Sequence, residues 1–194
     1  MTTDIYRKVE LFVVDKFKSA GDGVGANHVL RTVHWLKELR PDADEVLLIA
    51  AVSHDVERAL SDHKAYDKVT KYEKGFRSDE HLTYHQQEGA RIIGVYLEQI
   101  GADERTIERV RKLVSRHETG GDDDQNLLKD ADSISFFENV VEHFVTRKVS
   151  ETGKDKVREK FDWMYDRITS DQAKALAQQG YRKSIEKLEF DRKP

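Results

Sequence analysis

The sequence predicts an all-α protein, a bundle of about seven to eight helices, on three observations. Apolar residues recur at helical spacing along most of the chain, no segment alternates as a half-buried strand does, and only two prolines interrupt 194 residues. Thr3 or Asp4 caps a first helix to about Ser19, with Ile5, Val9, Phe12, Val13 and Phe17 on one face. The stretch AGDGVGAN is a glycine-rich turn. It lacks the Lys-Ser/Thr that ends a phosphate-binding P-loop, and no strand precedes it. A second helix covers about Ala26 to Leu39 and stops before Pro41.

Asp42 or Asp44 caps a third helix, EVLLIAAVSHDVERAL, apolar nearly all round and therefore central. Residues 61–78 are charged and aromatic without a clear period, a long loop or a short helix. A fourth helix runs from Asp79 to about Ile100 and ends at Gly101; a fifth runs from Asp103 to about His117. After a break of glycines and aspartates, a sixth covers Asp124 to about Arg147, and two more cover 154–169 and 171–191. With no repeat or low-complexity stretch, residues 1–194 read as one domain.

Composition narrows the chemistry. Cysteine is absent, so disulfides and thiolate zinc sites are excluded and any metal must sit on nitrogen and oxygen. Such ligands suit Mn, Fe, Zn, Ni or Co. The net charge of -4 speaks against a general nucleic-acid or anionic-membrane binder. The N-terminus has no apolar signal region and no stretch is a membrane span, so the expected location is cytoplasmic.

Histidines and aspartates fall on apolar faces. His54 follows Leu47, Ala50 and Ala51 at helical spacing, and Asp55 is next to it. His85 shares a face with Gly89, Ile92 and Ile93; His117 with Val110, Leu113 and Val114; Asp132 with Leu128 and Phe136. His28 aligns with Trp35. A buried carboxylate is costly unless paired or coordinated, and one metal cluster accounts for all these positions together. Each alone has an ordinary reading, a hydrogen-bonded core histidine or a paired aspartate.

The order His28, His54-Asp55, Asp132 resembles the HD superfamily of metal-dependent phosphohydrolases. NHVLRTV resembles the first-ligand segment, LLIAAVSHDVERA the apolar run into the His-Asp doublet, and LLKDADSIS the last-aspartate segment, with Asp132 rather than Asp130 as ligand. His28 and His54 are 26 residues apart, a spacing typical of the family. HQQEGARII and LVSRHE resemble the segments that add His85 and His117, and members with this fuller set bind two metals. The resemblance covers about residues 25–137. Two branches fit poorly: Arg58 stands where some nucleotidases have a glutamate, and Val56-Glu57 follows the doublet where cyclic dinucleotide esterases have glycine.

The resemblance implies one or two divalent ions, with Asp55 bridging, His28, His54 and Asp132 on one ion and His85 and His117 on the other. A metal-activated hydroxide would attack phosphorus in a phosphorylated small molecule, such as a nucleotide. Arg31, Arg58 and Lys129 each lie one turn from a ligand, and His81 lies one turn before His85; these are the candidate substrate contacts. Glu57 is a proton shuttle or a salt-bridge partner. KAYDKVTKYEKGFR is a lid or a solvated loop. His34 reads as structural, and His63 and His143 as exposed. Two other functions stay open, a di-iron oxygenase on the same ligands and a non-catalytic nucleotide-binding regulatory module. The aromatic residues of the C-terminal helices read as core before interface, and a homodimer stays open.

Overall fold

The computed structural model describes residues 4–60 and 78–190. The KAYDKVTKYEKGFR segment, His63 and the Thr3 cap lie outside them. Ten helices form the described part, and no strand occurs among the described residues. They are α1 (Asp4–Ser19), α2 (Gly23–Leu39), α3 (Glu45–Ser53), α4 (Val56–Leu60), α5 (Asp79–Gln99), α6 (Glu104–Val114) and α7 (Asp123–Asn139). Next comes α8, built from Val141–His143, a π-helical turn at Phe144–Lys148 and Val149–Thr152; α9 (Lys154–Asp166) and α10 (Asp171–Phe190) follow.

Side-chain caps fix several of the starts. Asp22, Asp44, Ser78, Asp103 and Asp122 each accept from a backbone N–H three residues on, and Gln125 bonds back to Asp122 to close a capping box. Each cap contributes about 1 kcal/mol. The Asp22 cap starts α2 inside the glycine-rich stretch, earlier than the expected Ala26.

Two expected helices are divided. The third breaks at the His-Asp doublet: Ser53 turns its hydroxyl back to the Ile49 carbonyl (2.7 Å), and His54 and Asp55 form a turn from which α4 restarts. The sixth stops at Asn139, whose amide bonds back to the Ser135 carbonyl (3.1 Å), and α8 begins anew.

Helix α3 is buried from Leu47 to Ser53 and packs against α1, α2, α6 and α7. Two apolar cores result. One gathers α1 to α6 with Leu128 and Ala131 at the start of α7; the other gathers Ile134, Phe136 and Phe137 of α7 with α8, α9 and α10. Asp132, Ser133 and Ser135 sit where α7 passes from one core to the other, all buried.

Helix α5 approaches the α3–α4 turn through Gly89. A Cβ there would lie 3.2 Å from the His54 carbonyl oxygen. Gly89→Val is therefore expected to cost about 1–3 kcal/mol by pushing the helices apart. Gly23→Ala, with open space around it, should change stability by less than about 1 kcal/mol. Urea denaturation compares the two, and a Gly89→Val protein as stable as wild type would contradict the packing.

Candidate metal centre

Consecutive side chains on an unbroken helix diverge by about 100°. The turn after α3 relaxes this constraint, so His54 and Asp55 reach the same buried cluster. His28 arrives from α2, His85 from α5, His117 from the turn after α6 and Asp132 from α7, and all six residues are buried. They fall into two groups, His28–His54–Asp132 and Asp55–His85–His117, each with ligand atoms within 4.8 Å of one another.

Asp55 faces both groups. Its Oδ2 is 3.8 Å from Nε2 of both His28 and His54. Its Oδ1 is 3.0 Å from His85 Nε2 and 3.7 Å from His117 Nε2. Asp132 Oδ1 lies 3.0 Å from His28 Nε2 and 3.6 Å from His54 Nε2. The two oxygens of one carboxylate are thus divided between two sets of imidazoles.

All four imidazoles are held by their Nδ1 atoms. His54 donates to the Ala51 carbonyl (2.8 Å) and His117 to the Val114 carbonyl (2.7 Å). His85 Nδ1 bonds the Glu57 carboxylate (2.9 Å). Ser135 gives its only hydroxyl proton to the His28 carbonyl (2.8 Å), so it accepts from His28 Nδ1 (2.9 Å). Four Nε2 atoms are thereby turned inward in the tautomer that ligates metals.

The residues fit a metal. His54 Nε2 is buried and has no hydrogen-bond partner among the described residues. His85 and His117 bring their Nε2 atoms to 3.2 Å from each other. Two nitrogens about 2.1 Å from one ion lie roughly 3.0–3.4 Å apart, so this spacing is that of neighbouring ligands.

Burial works to raise both aspartates, but their neighbours outweigh it. Arg58, His54 and His85 hold Asp55 well below the usual carboxylate range, and Arg167, His28 and His54 do the same for Asp132. His54 responds in the opposite sense. Burial alone would lower it, yet Asp55 and Asp132 hold it at about 9. Burial, His85 and His54 push His117 down to about 3, so it is neutral at pH 7.

The six residues read from the sequence as ligands meet in one cluster. The other candidates divide. Arg58 lines the adjoining cavity, with Nε 2.9 Å from Asp55 Oδ1. His81 also lines it, stacked on His85 at 6.2 Å, with burial and the nearby Arg58 lowering it to about 4. Arg31 and Lys129 are not among the lining residues. Arg31 forks onto Glu138 (2.8 and 2.9 Å), and Lys129 bonds Thr169 (2.7 Å) and Asn126 (3.2 Å). Asp130, passed over as a ligand, caps the Thr169 and Ser170 N–H groups (2.7 and 2.8 Å). Glu57 orients His85 and does not line the cavity. His34 packs edge-on against Trp35. His143, expected to be exposed, is half-buried and lines the cavity.

Three residues escape a sequence reading. Buried Glu118 and the buried side chain of Arg167 form an ion pair, and Arg167 also bonds Asp132 and Ser133. Glu118 follows His117 directly, whereas Arg167 lies well beyond the resembling segment. Lys160, on α9, is buried and lines the cavity. Its one signal is a lysine three residues after Val157 and four before Met164, in a buried stripe.

The protein is thus an all-α scaffold built around paired buried His/Asp groups. Residues 18–188 match the family described as "Domain of unknown function (DUF4202)". The chain belongs to that family. No curated protein and no solved structure matches it.

The His54 shift has a measurable consequence. Its native pKa, about 9, lies above the ordinary value of 6.5. Protonated His54 therefore stabilises the metal-free protein fully below about pH 6.5, and that contribution is lost as pH rises through about 9. A metal bound through His54 Nε2 would have to displace this proton. Calorimetry of Mn binding at pH 7.5, in buffers of different ionisation enthalpy, should detect at least about one proton released and an affinity that rises toward pH 9. Binding without proton release would contradict the assignment.

Proposed function

We propose that this protein is a metal-dependent phosphohydrolase of the HD type, acting on a nucleotide or another phosphate ester or anhydride. The observation that carries the reading is the division of the Asp55 carboxylate between two inward-facing groups of imidazoles. The order of the six residues along the chain, the same as in the HD superfamily, supports it. Held by His28, His54 and Asp132 and by Asp55, His85 and His117, divalent ions would lower the pKa of water and draw charge from phosphoryl oxygens.

The chain's own residues provide the rest. Glu57, Ser135 and the Ala51 and Val114 carbonyls fix the ring orientations, so ligands need no rearrangement. Arg167 secures Asp132 from behind, leaving Oδ1 toward His28 and His54. Arg58 lines the cavity beside Asp55 and is placed to neutralise charge building on a phosphoryl group. Neutral His81 adds a hydrogen-bonding group on that wall.

The cavity holds about 790 Å³, far more than a bare phosphate needs and within the range of small-molecule sites. His28, Asp55 and Asp132 line it together with Phe17, Phe144 and Met164. Such a lining suits a ligand with an anionic end and an apolar or planar body. Among the described residues, no helix is long and apolar enough to cross a membrane.

The test is phosphate release by Mn-loaded protein from nucleoside mono- and triphosphates, dinucleoside polyphosphates and p-nitrophenyl phosphate. Asp55→Asn should lose metal and at least about a hundredfold in turnover. Arg31→Ala, which removes a surface pair with Glu138, should leave turnover unchanged. Oxygen uptake by the iron-loaded protein with no phosphate release from any substrate would overturn the proposal.

A further inference from the structure

Lys160 is only 7% exposed, yet its ammonium is the kind of group a core excludes. It stands over the Trp163 ring at 4.4 Å and more distantly over Phe136 at 5.8 Å. Among the described residues it has no hydrogen-bond or ion-pair partner. The two acidic groups that act on it electrostatically, Glu118 and Asp132, are already engaged. Glu118 is held by Arg167 and lies 3.6 Å from Arg58; Asp132 is held by Arg167 and His28. Ring contact offsets only part of the desolvation of an ammonium, and a methionine would fill the space without that cost.

The same side chain lines the cavity that contains His28, Asp55 and Asp132. We infer that Lys160 is a binding residue for the substrate's anionic group, donating to a phosphoryl oxygen at the metal-facing end of the cavity. Three donors without an acceptor are suited to a tetrahedral oxyanion. The electrostatics agree. Burial lowers Lys160 to about 8, and the pull of Glu118 is opposed by Arg167 and Arg58. An anion entering beside these cations would relieve both the desolvation and the repulsion. The inference rests on the phosphohydrolase reading and adds to it a contact from α9, outside the segment that carries the resemblance.

The experiment titrates inorganic phosphate into Mn-loaded wild type, Lys160→Met and Lys160→Arg by calorimetry, with metal content and phosphate-free melting temperature measured alongside. Lys160→Met should keep its metal, melt at the same or a higher temperature, and bind phosphate at least about tenfold more weakly. Lys160→Arg should recover much of the affinity. Wild-type affinity in Lys160→Met would overturn the role of Lys160 alone. So would a lower melting temperature with metal content intact, because it would mark a structural lysine. Wild-type protein that takes up Mn but binds no phosphate would overturn the phosphohydrolase reading together with this inference.

Discussion

The charge of two buried carboxylates, Asp55 and Asp132, has to be balanced inside a helical core, and much of the architecture serves that balance. An unpaired carboxylate in such a place costs several kcal/mol. Arg58 and Arg167 supply permanent positive charge, and four imidazoles surround the remaining oxygens. The compensation is incomplete in one respect. Among the described residues His54 Nε2 stays buried without a hydrogen-bond partner, and His85 and His117 set two ring nitrogens against each other. A divalent ion in each group would resolve both, one at His54 and the other between His85 and His117, so the cluster fits a metal centre better than a network of ion pairs.

The backbone is shaped around the same constraint. Helix α3 is apolar on all sides and would run on as one helix, but it turns at His54 and Asp55 so that adjacent residues reach one site. Gly89 lets α5 come close enough to deliver His85 beside that turn. Helix α7 passes from one apolar core to the other with Asp132 at the crossing, so the cluster is tied to both halves of the molecule. The C-terminal helices are more than a cover. They bring Arg167 to Asp132 and Lys160 to the cavity wall.

The sequence makes the inward-facing residues legible and their neighbours largely illegible. His54, His85, His117 and Asp132 announce themselves because a polar residue on an apolar helical stripe must point into the core. Asp130 and Asp132 are separable only by resemblance, since each is buried and each has work to do. Proximity of one turn proves a weaker guide: Arg31 and Lys129 are close to ligands in sequence, yet each faces another partner, Glu138 or Thr169. Arg58 succeeds by the same rule only because the turn at Asp55 redirects α4. The Glu118–Arg167 pair joins residues 49 apart, and no local pattern encodes such a contact. The break in the third helix is hidden for a similar reason, as its composition is uniformly apolar and the turn is dictated by the site.

If both groups hold an ion, the Asp55 carboxylate would be shared between them, one oxygen toward each group. Crystals grown with Mn, and an anomalous-difference map from them, test this sharing most directly. Two peaks are expected beside the Asp55 carboxylate, one among His28, His54 and Asp132 and the other near His85 and His117. A cluster that stays empty at saturating Mn, or a single ion with Asp55 bound through one oxygen, would contradict it.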